Sequence, residues 1–231
     1  MTMAITPPSE IMATTSESIW ILGYGKFGQR AVTLLTEAGT APGRVTVIDH
    51  RLPDRLPQAV HFIQAEGVRW FIDNFQRTSD VDRVIPALPV HLAAEWVKAR
   101  LMAQNQTVQP LPVPERVIQL LPNPYRISAD TYALSHATFR CPDNCDEPEQ
   151  FCTVTGKSRA TPVYTLVEEL TLDGLVTLAL QSRQFAPGLG GFYVDDLWKL
   201  LEELQRHIPA DILLCTACKC HGIVNGLTFG E

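Results

Sequence analysis

The chain has 231 residues with 45% hydrophobic content, 14 glycines and 17 prolines, a globular composition with length for one large domain or two small ones. Its formal net charge is −6 and no lysine or arginine run stands out, so the electrostatic footprint of a nucleic-acid binder is missing and no nucleic-acid partner is expected. No apolar run approaches the roughly 20 residues needed to cross a bilayer, which excludes a membrane-spanning helix.

Residues 1–17 are rich in Ser, Thr and Pro and carry neither a basic n-region nor a continuous apolar h-region. They predict a disordered tail, and with no secretion signal the chain is expected in the cytoplasm, a reducing compartment. From Ser18 the pattern becomes regular: "SIWILG" predicts a strand, Lys26 to Ala38 a helix and "RVTVID" a strand, followed by "VHFIQA" as strand, "GVRWFIDNF" as helix, "RVIPAL" as strand and "VHLAAEWVKARLMA" as helix. Such alternation requires a parallel sheet with helices on its faces.

The stretch Gln104 to Glu115 is polar and proline-rich around a short extended piece, Val108 to Val113, and Pro110, Pro112 and Pro114 suit an edge or a linker. A domain boundary is therefore expected at about residue 114, dividing a Rossmann-type domain, 18–114, from a cysteine-rich domain, 115–231. Beyond it "TYALSHATFRC" predicts a strand, "VYTLVEEL" is ambiguous and "LVTLALQSRQF" reads as one strand. Asp195 to Arg206 is a helix with a leucine stripe, and "DILLCTACKC" is a strand running into the last cysteines. The expected fold class is α/β, a Rossmann-type parallel sheet followed by a smaller α+β domain.

"ILGYGKFGQRA" places Gly23, Gly25 and Gly28 in G-x-G-x-x-G spacing directly after a strand and at the opening of a helix. The first glycine permits a tight turn, the second lets backbone approach a pyrophosphate, and the third lets helix and strand pack closely. The helix N-terminus adds free N–H groups and positive dipole. "VTVID" ends in Asp49, about 20 residues past the third glycine, where a carboxylate accepts hydrogen bonds from ribose hydroxyls. The expected cofactor-binding set is Gly23, Tyr24, Gly25, Lys26, Phe27, Gly28, Asp49 and His50. Asp49 would repel a 2′-phosphate, so NAD(H) is favoured over NADP(H); His50 and Arg51 work the other way, and S-adenosylmethionine and flavin dinucleotide stay open.

"IWILGYGKFGQRAVTLL" followed by "VTVIDH" resembles the TrkA-N or RCK nucleotide-binding domains, which regulate potassium channels and transporters. The resemblance covers about residues 18–104 and rests on Gly23, Gly25, Gly28, Asp49, the aromatic between the first two glycines and "FGQ". It implies a nucleotide-sensing module with a membrane-transporter partner and makes a homodimer plausible. Where such domains usually carry Gly-Asp-Ala after the third strand, this chain has Gln64, Ala65 and Glu66.

All six cysteines lie in the second half, as C-x3-C-x6-C over Cys141, Cys145 and Cys152 and as C-x2-C-x-C over Cys215, Cys218 and Cys220. Neither group matches the paired knuckles of a zinc ribbon or a standard ferredoxin run. Asp143, Asp146, Glu147 and Glu149 crowd the first group, and nearby carboxylates raise thiol pKa values unless a cation balances them. All six thiols are therefore candidate ligands of one shared metal site, and because they exceed the four of a single zinc or cubane, some must be spare or must bridge metals. An iron–sulfur cluster leads, because a nucleotide half beside a thiol-rich half suits electron transfer; structural zinc comes next, then disulfide or thiol redox.

His91, after the fourth strand, stands where it could act as an acid or meet a nicotinamide, but reads better as an ordinary helix-start residue. His136 and His221 are possible extra ligands, but each alone reads better as an ordinary histidine; Gly188, Gly190 and Gly191 of "RQFAPGLGGFY" could let the backbone approach a ligand or the cysteine site, but read better as a strand-ending turn. The functional expectation is NAD(H) binding coupled to a cysteine-ligated centre, by hydride or electron transfer if the chain is an enzyme. The competing readings are a non-catalytic regulator with a structural zinc and a dehydrogenase whose cysteines are incidental.

Overall fold

The computed structural model describes residues 16–55 and 60–230. The expected tail falls outside them except for Ser16 and Glu17, and Glu17 is ion-paired with the buried Arg83.

The first half alternates as its apolar periodicity requires: β1 (Ile19–Leu22), α1 (Lys26–Glu37), β2 (Val45–Asp49), β3 (His61–Gln64), α2 (Gly67–Asn74), β4 (Arg83–Pro86) and α3 (Leu92–Met102). Ile19, Ile21 and Leu22 are fully buried, as in a central strand covered on both faces. In α1, Gly28, Ala31, Val32 and Leu35 form the buried stripe at helical spacing. The four strands run parallel in the order β3-β2-β1-β4, which is the order of the first four strands of a doubly wound dinucleotide-binding sheet.

The second half follows as β5 (Thr107–Pro110), α4 (Glu115–Ile118), β6 (Tyr125–Arg126), β7 (Thr131–Ser135), α5 (Val163–Glu168), β8 (Val176–Gln181), β9 (Arg183–Ala186), β10 (Leu189–Tyr193), α6 (Val194–Gln205), β11 (Ala210–Ala217) and β12 (His221–Gly230). The ambiguous "VYTLVEEL" is helix α5, held because Val163 and Val167 bury one face against the second sheet. The segment read as one strand, "LVTLALQSRQF", is two. It breaks at Ser182, whose N–H donates to the Ala217 carbonyl at 2.7 Å. Ahead of the break β8 is the edge of a sheet ordered β6-β7-β12-β11-β8, and after it β9 is the edge of the first sheet, paired with β10, which runs antiparallel beside β4.

The sheets therefore exchange strands across the expected boundary at residue 114. β9 and β10 extend the first sheet, and β5 pairs with β12 of the second. A shared core enforces this: α3 and α6 lie between the sheets, where Trp96 and the leucine stripe Leu197, Leu200, Leu201 and Leu204 pack with Leu22 and Val84 on one side and Ile212, Leu214 and Phe229 on the other. Each such leucine contributes on the order of 2 kcal/mol by burial. Helix α1 covers the outer face of the first sheet, and α4 and α5 that of the second. Among the described residues no helix is long and apolar enough to cross a membrane.

Candidate functional site

The glycine turn joins β1 to α1. Gly23 has φ +101, a conformation open to glycine, and a Cβ there would lie 2.6 Å from the Ala87 carbonyl oxygen. A Cβ on Gly28 would collide with the Gly23 carbonyl, so this position fixes how closely α1 approaches the turn. Gly25 differs: a Cβ there would meet nothing within 4 Å, so its face of the turn is open. It is also the N-cap of α1, no side chain caps the helix, and no acidic residue stands in its first turn. The α1 N-terminus thus presents positive dipole toward open space.

Asp49 closes the turn from the end of β2. Its Oδ2 accepts from the Tyr24 N–H at 2.6 Å and its Oδ1 from the Arg51 N–H at 2.8 Å, with His50 Nδ1 at 3.2 Å. Burial works to raise its pKa but is outweighed by these N–H bonds and by the charges of His50 and Arg51, so the carboxylate titrates below its ordinary value. A carboxylate has about four acceptor positions, which leaves capacity for hydroxyl donors. Glu66 accepts from the Val68 and Arg69 N–H groups as the cap of α2.

Five cysteines, Cys141, Cys145, Cys152, Cys218 and Cys220, line one cavity of about 720 Å³ together with His136, Glu147 and His221. The sixth, Cys215, is elsewhere. On β11 the side chains alternate, so Ile212 and Leu214 enter the core between the sheets while Leu213, Cys215 and Ala217 face α5. Cys215 is fully buried, and burial drives its thiol pKa far up. The expectation of six shared ligands is corrected to five thiols around one cavity, since strand pleating turns Cys215 the other way.

The second cysteine group is the turn of the β11–β12 hairpin. Cys218 donates its N–H to the His221 carbonyl at 2.8 Å, and its sulfur accepts from the Cys220 and His221 N–H groups at 3.4 and 3.3 Å. Burial, then the Glu147 carboxylate, push the Cys218 thiol up to about 12. Cys152 is the opposite case: the Thr155 hydroxyl and the N–H groups of Thr155 and Val154 hold its sulfur and lower its pKa. Burial, then neighbouring Cys145 and Cys152, raise Cys141. Arg159 donates to the Cys220 sulfur and to the Pro148 and Phe151 carbonyls.

His221 is more than an ordinary histidine. Its Nε2 is 3.7 Å from the Cys141 sulfur and its Nδ1 4.0 Å from the Cys218 sulfur, and burial lowers its pKa. Glu147 has an oxygen buried without a hydrogen-bond partner and a φ of +46. An orphaned carboxylate oxygen among thiols fits a cation in the cavity. Among the described residues no three His, Cys, Asp or Glu side chains already converge as a metal sphere.

The cysteine loop is fastened to the glycine-turn half. Lys26 Nζ lies 3.3 Å from Asp143, Arg30 donates to the Pro187 carbonyl at 2.9 Å, and the Cys145 carbonyl accepts from Gly188 N–H at 2.8 Å and Gln184 Nε2 at 2.6 Å. Phe27, 60% exposed at the start of α1, lines the thiol cavity. Lys26 and Phe27, both expected at the cofactor, thus face the cysteines.

His91 is buried, and both ring nitrogens are bonded to the second sheet: Nδ1–H donates to Asn225 Oδ1 at 2.8 Å, and the Thr216 hydroxyl donates to Nε2 at 2.8 Å. Asn225 Nδ2 in turn donates to Thr131 Oγ1 at 2.7 Å. Burial pulls the His91 pKa down to about 4. It is a neutral joint between α3 and the second sheet, with no open face for acid catalysis.

The chain is similar to an "Uncharacterized protein" of Archaeoglobus fulgidus (strain ATCC 49558 / DSM 4304 / JCM 9628 / NBRC 100126 / VC-16), 25% identical over 231 residues that cover 90% of this chain and 97% of the relative. No solved structure matches it. The AF_1314_C family, described as "Uncharacterized protein, C-terminal domain", matches residues 93–230, the span from α3 through β12 that holds every cysteine. With more than half of its length matched, the chain belongs to the AF_1314_C family.

Proposed function

We propose that the chain binds NAD(H) on the Gly23–Gly28 turn and couples it to a thiol-ligated metal or iron–sulfur centre in the adjoining cavity, serving redox chemistry or redox sensing in the cytoplasm. One observation carries this reading: the thiol cavity lies beside the carboxyl edge of the parallel strands. β10 runs antiparallel to β4 with Phe192 opposite Val84, so the Gly188 turn stands past the end of β4, and that turn holds the Cys145 carbonyl. Ligands of open α/β sheets bind outside the carboxyl ends of the strands where the order reverses. A dinucleotide with its pyrophosphate on α1 and its adenosine toward Asp49 would extend its nicotinamide over β4, toward the cysteine loop. Asp49, held ionised, favours NAD(H) over NADP(H).

The test is purification without oxygen, followed by metal and acid-labile sulfide analysis, a visible spectrum and an NADH–ferricyanide assay. In that assay one NADH reduces two ferricyanides and yields NAD+ and a proton. Expected are a bound centre, NADH binding, and turnover that falls at least tenfold in Cys141→Ser or Cys145→Ser. NADH binding with no metal, and Ser variants as active as the parent, would sink the coupling and leave a dehydrogenase with incidental cysteines.

A second reading is favoured by the imidazole of His221 among the thiols, a nitrogen and sulfur donor set of the kind structural zinc uses. Here the chain is a non-catalytic TrkA-N-like module of the potassium-transport type that binds nucleotide, works with a membrane transporter or as a homodimer, and uses zinc as a staple. Stoichiometric zinc, tight nucleotide binding and no turnover would select it.

A further inference from the structure

A thiol centre belongs to the redox reading and to the regulatory one alike, and the role of His221 rests on that centre. We propose that His221 is itself a ligand of it, binding through Nε2 beside Cys141, so that the site is a mixed thiolate–imidazole one suited to a borderline divalent ion of the zinc class. Zinc bonds of about 2.3 Å to sulfur and 2.0–2.1 Å to nitrogen, at the tetrahedral angle, place a sulfur and a nitrogen ligand about 3.6 Å apart. Cys141 Sγ and His221 Nε2 are 3.7 Å apart. Two side chains that share an edge of that length need little movement to share an ion.

The other ring nitrogen is also provided for. A metal-bound histidine almost always gives its second N–H to an acceptor that fixes the tautomer. Nδ1 faces the Cys218 sulfur at 4.0 Å, and that sulfur is anchored by the N–H groups of Cys220 and His221 itself. The hairpin turn thereby fixes the ring relative to its own backbone. Two further thiols from the cavity complete the sphere, and the unpartnered Glu147 oxygen supplies the adjoining negative charge. Cys215 has no part in it.

The probe is Co2+ added to the full chain, reduced and stripped of metal without oxygen. The expected parent spectrum has near-ultraviolet sulfur-to-cobalt charge-transfer bands and intense visible bands of a four-coordinate ion. His221→Ala should weaken Co2+ binding by roughly 100-fold or more, beyond the 10–100-fold typical of outer-shell losses. Cys218→Ser should fall within that outer-shell range. His221→Cys guards against misfolding: it should still bind Co2+ tightly while the charge-transfer intensity per cobalt rises by about a third, as three thiolates become four. Parent-like affinity in His221→Ala, or an unchanged intensity per cobalt in His221→Cys, would overturn the histidine ligand but leave the thiol centre standing. A parent chain that binds no cobalt would remove the centre and this inference together.

Discussion

The buried neutral His91 makes stability depend on acid in a way that can be worked from the structure. Its ring donates from Nδ1 to Asn225 and accepts at Nε2 from Thr216, and full burial makes the charge of a second proton costly. The fold holds its pKa at about 4, against 6.5 for the free side chain. Above pH 6.5 the ring is neutral in both states and contributes no slope. As pH falls below 6.5 the unfolded chain takes up a proton that the fold refuses until about pH 4, so stability is lost through that window. At about 1.36 kcal/mol per pKa unit the full loss is roughly 3 kcal/mol, of which about 2 kcal/mol is gone by pH 5. The comparison variant is His91→Gln, whose amide can donate to Asn225 and accept from Thr216 without titrating. Urea unfolding of the reduced, metal-free chain, followed by tryptophan fluorescence at pH 8, 6 and 5, gives both profiles; the buried Trp96 is a reporter between the sheets. The difference between parent and variant should change by about 2 kcal/mol from pH 8 to pH 5, with the parent losing more. Parallel profiles would refute the argument.

The two open questions at the glycine turn separate cleanly. Gly28→Ala should lower thermal stability because its Cβ collides with the Gly23 carbonyl, whereas Gly25→Ala should melt like the parent and lose NADH affinity at least about tenfold by fluorescence titration; equal NADH affinity would place the dinucleotide elsewhere. Gly188→Ala, with φ +70 and its Cβ against the Asp143 carbonyl, should displace the cysteine loop and reduce metal content per chain, read by elemental analysis. Cys215→Ala should cost about 1–2 kcal/mol of stability in denaturant and leave metal content unchanged.

The parallel strands of the first half were legible because each is a short apolar run, and β1, β3 and β4 are each followed by a helical stripe. The last strand was not. Asn225 and Gly226 form the dipeptide that most strongly signals a hairpin, yet they lie in the middle of β12. Tertiary contacts override the local signal: Asn225 spends its side chain on His91 and Thr131, and Gly226 is there because the Leu111 carbonyl crosses against it. The cysteine site was half legible for a related reason. Spacing showed two thiol groups but not which way each thiol faces, and the pleat of β11 decides that Cys215 leaves the site. His221 stood in the sequence only as a possible extra ligand, because its place among the thiols depends on the hairpin turning back at Cys218–Cys220, a geometry set by cross-strand pairing of Ala217 with Gly222.

The break at Ser182 explains why the two candidate sites meet at all. Had the strand from Val176 to Ala186 continued in one sheet, the Gly188 turn would not stand beside β4 to hold the Cys145 carbonyl. Instead the chain leaves the second sheet at Gln181, crosses at Ser182 against the end of β11, and enters the first sheet as β9. Ser182 bonds Ala217, the residue before Cys218, and four residues of extended chain later the Gly188 turn bonds Cys145. One continuous segment therefore touches the second cysteine group at its start and the first group at its end, while its hairpin partner β10 lies against β4 of the first sheet. A shift in that segment would be felt at both thiol groups and at the carboxyl edge of the sheet together. If dinucleotide binding changes the centre, hydrogen exchange at Ser182 and Gly188 should slow on adding NADH; a slowing confined to residues 23–28 would mean that the sites share a wall without sharing a response.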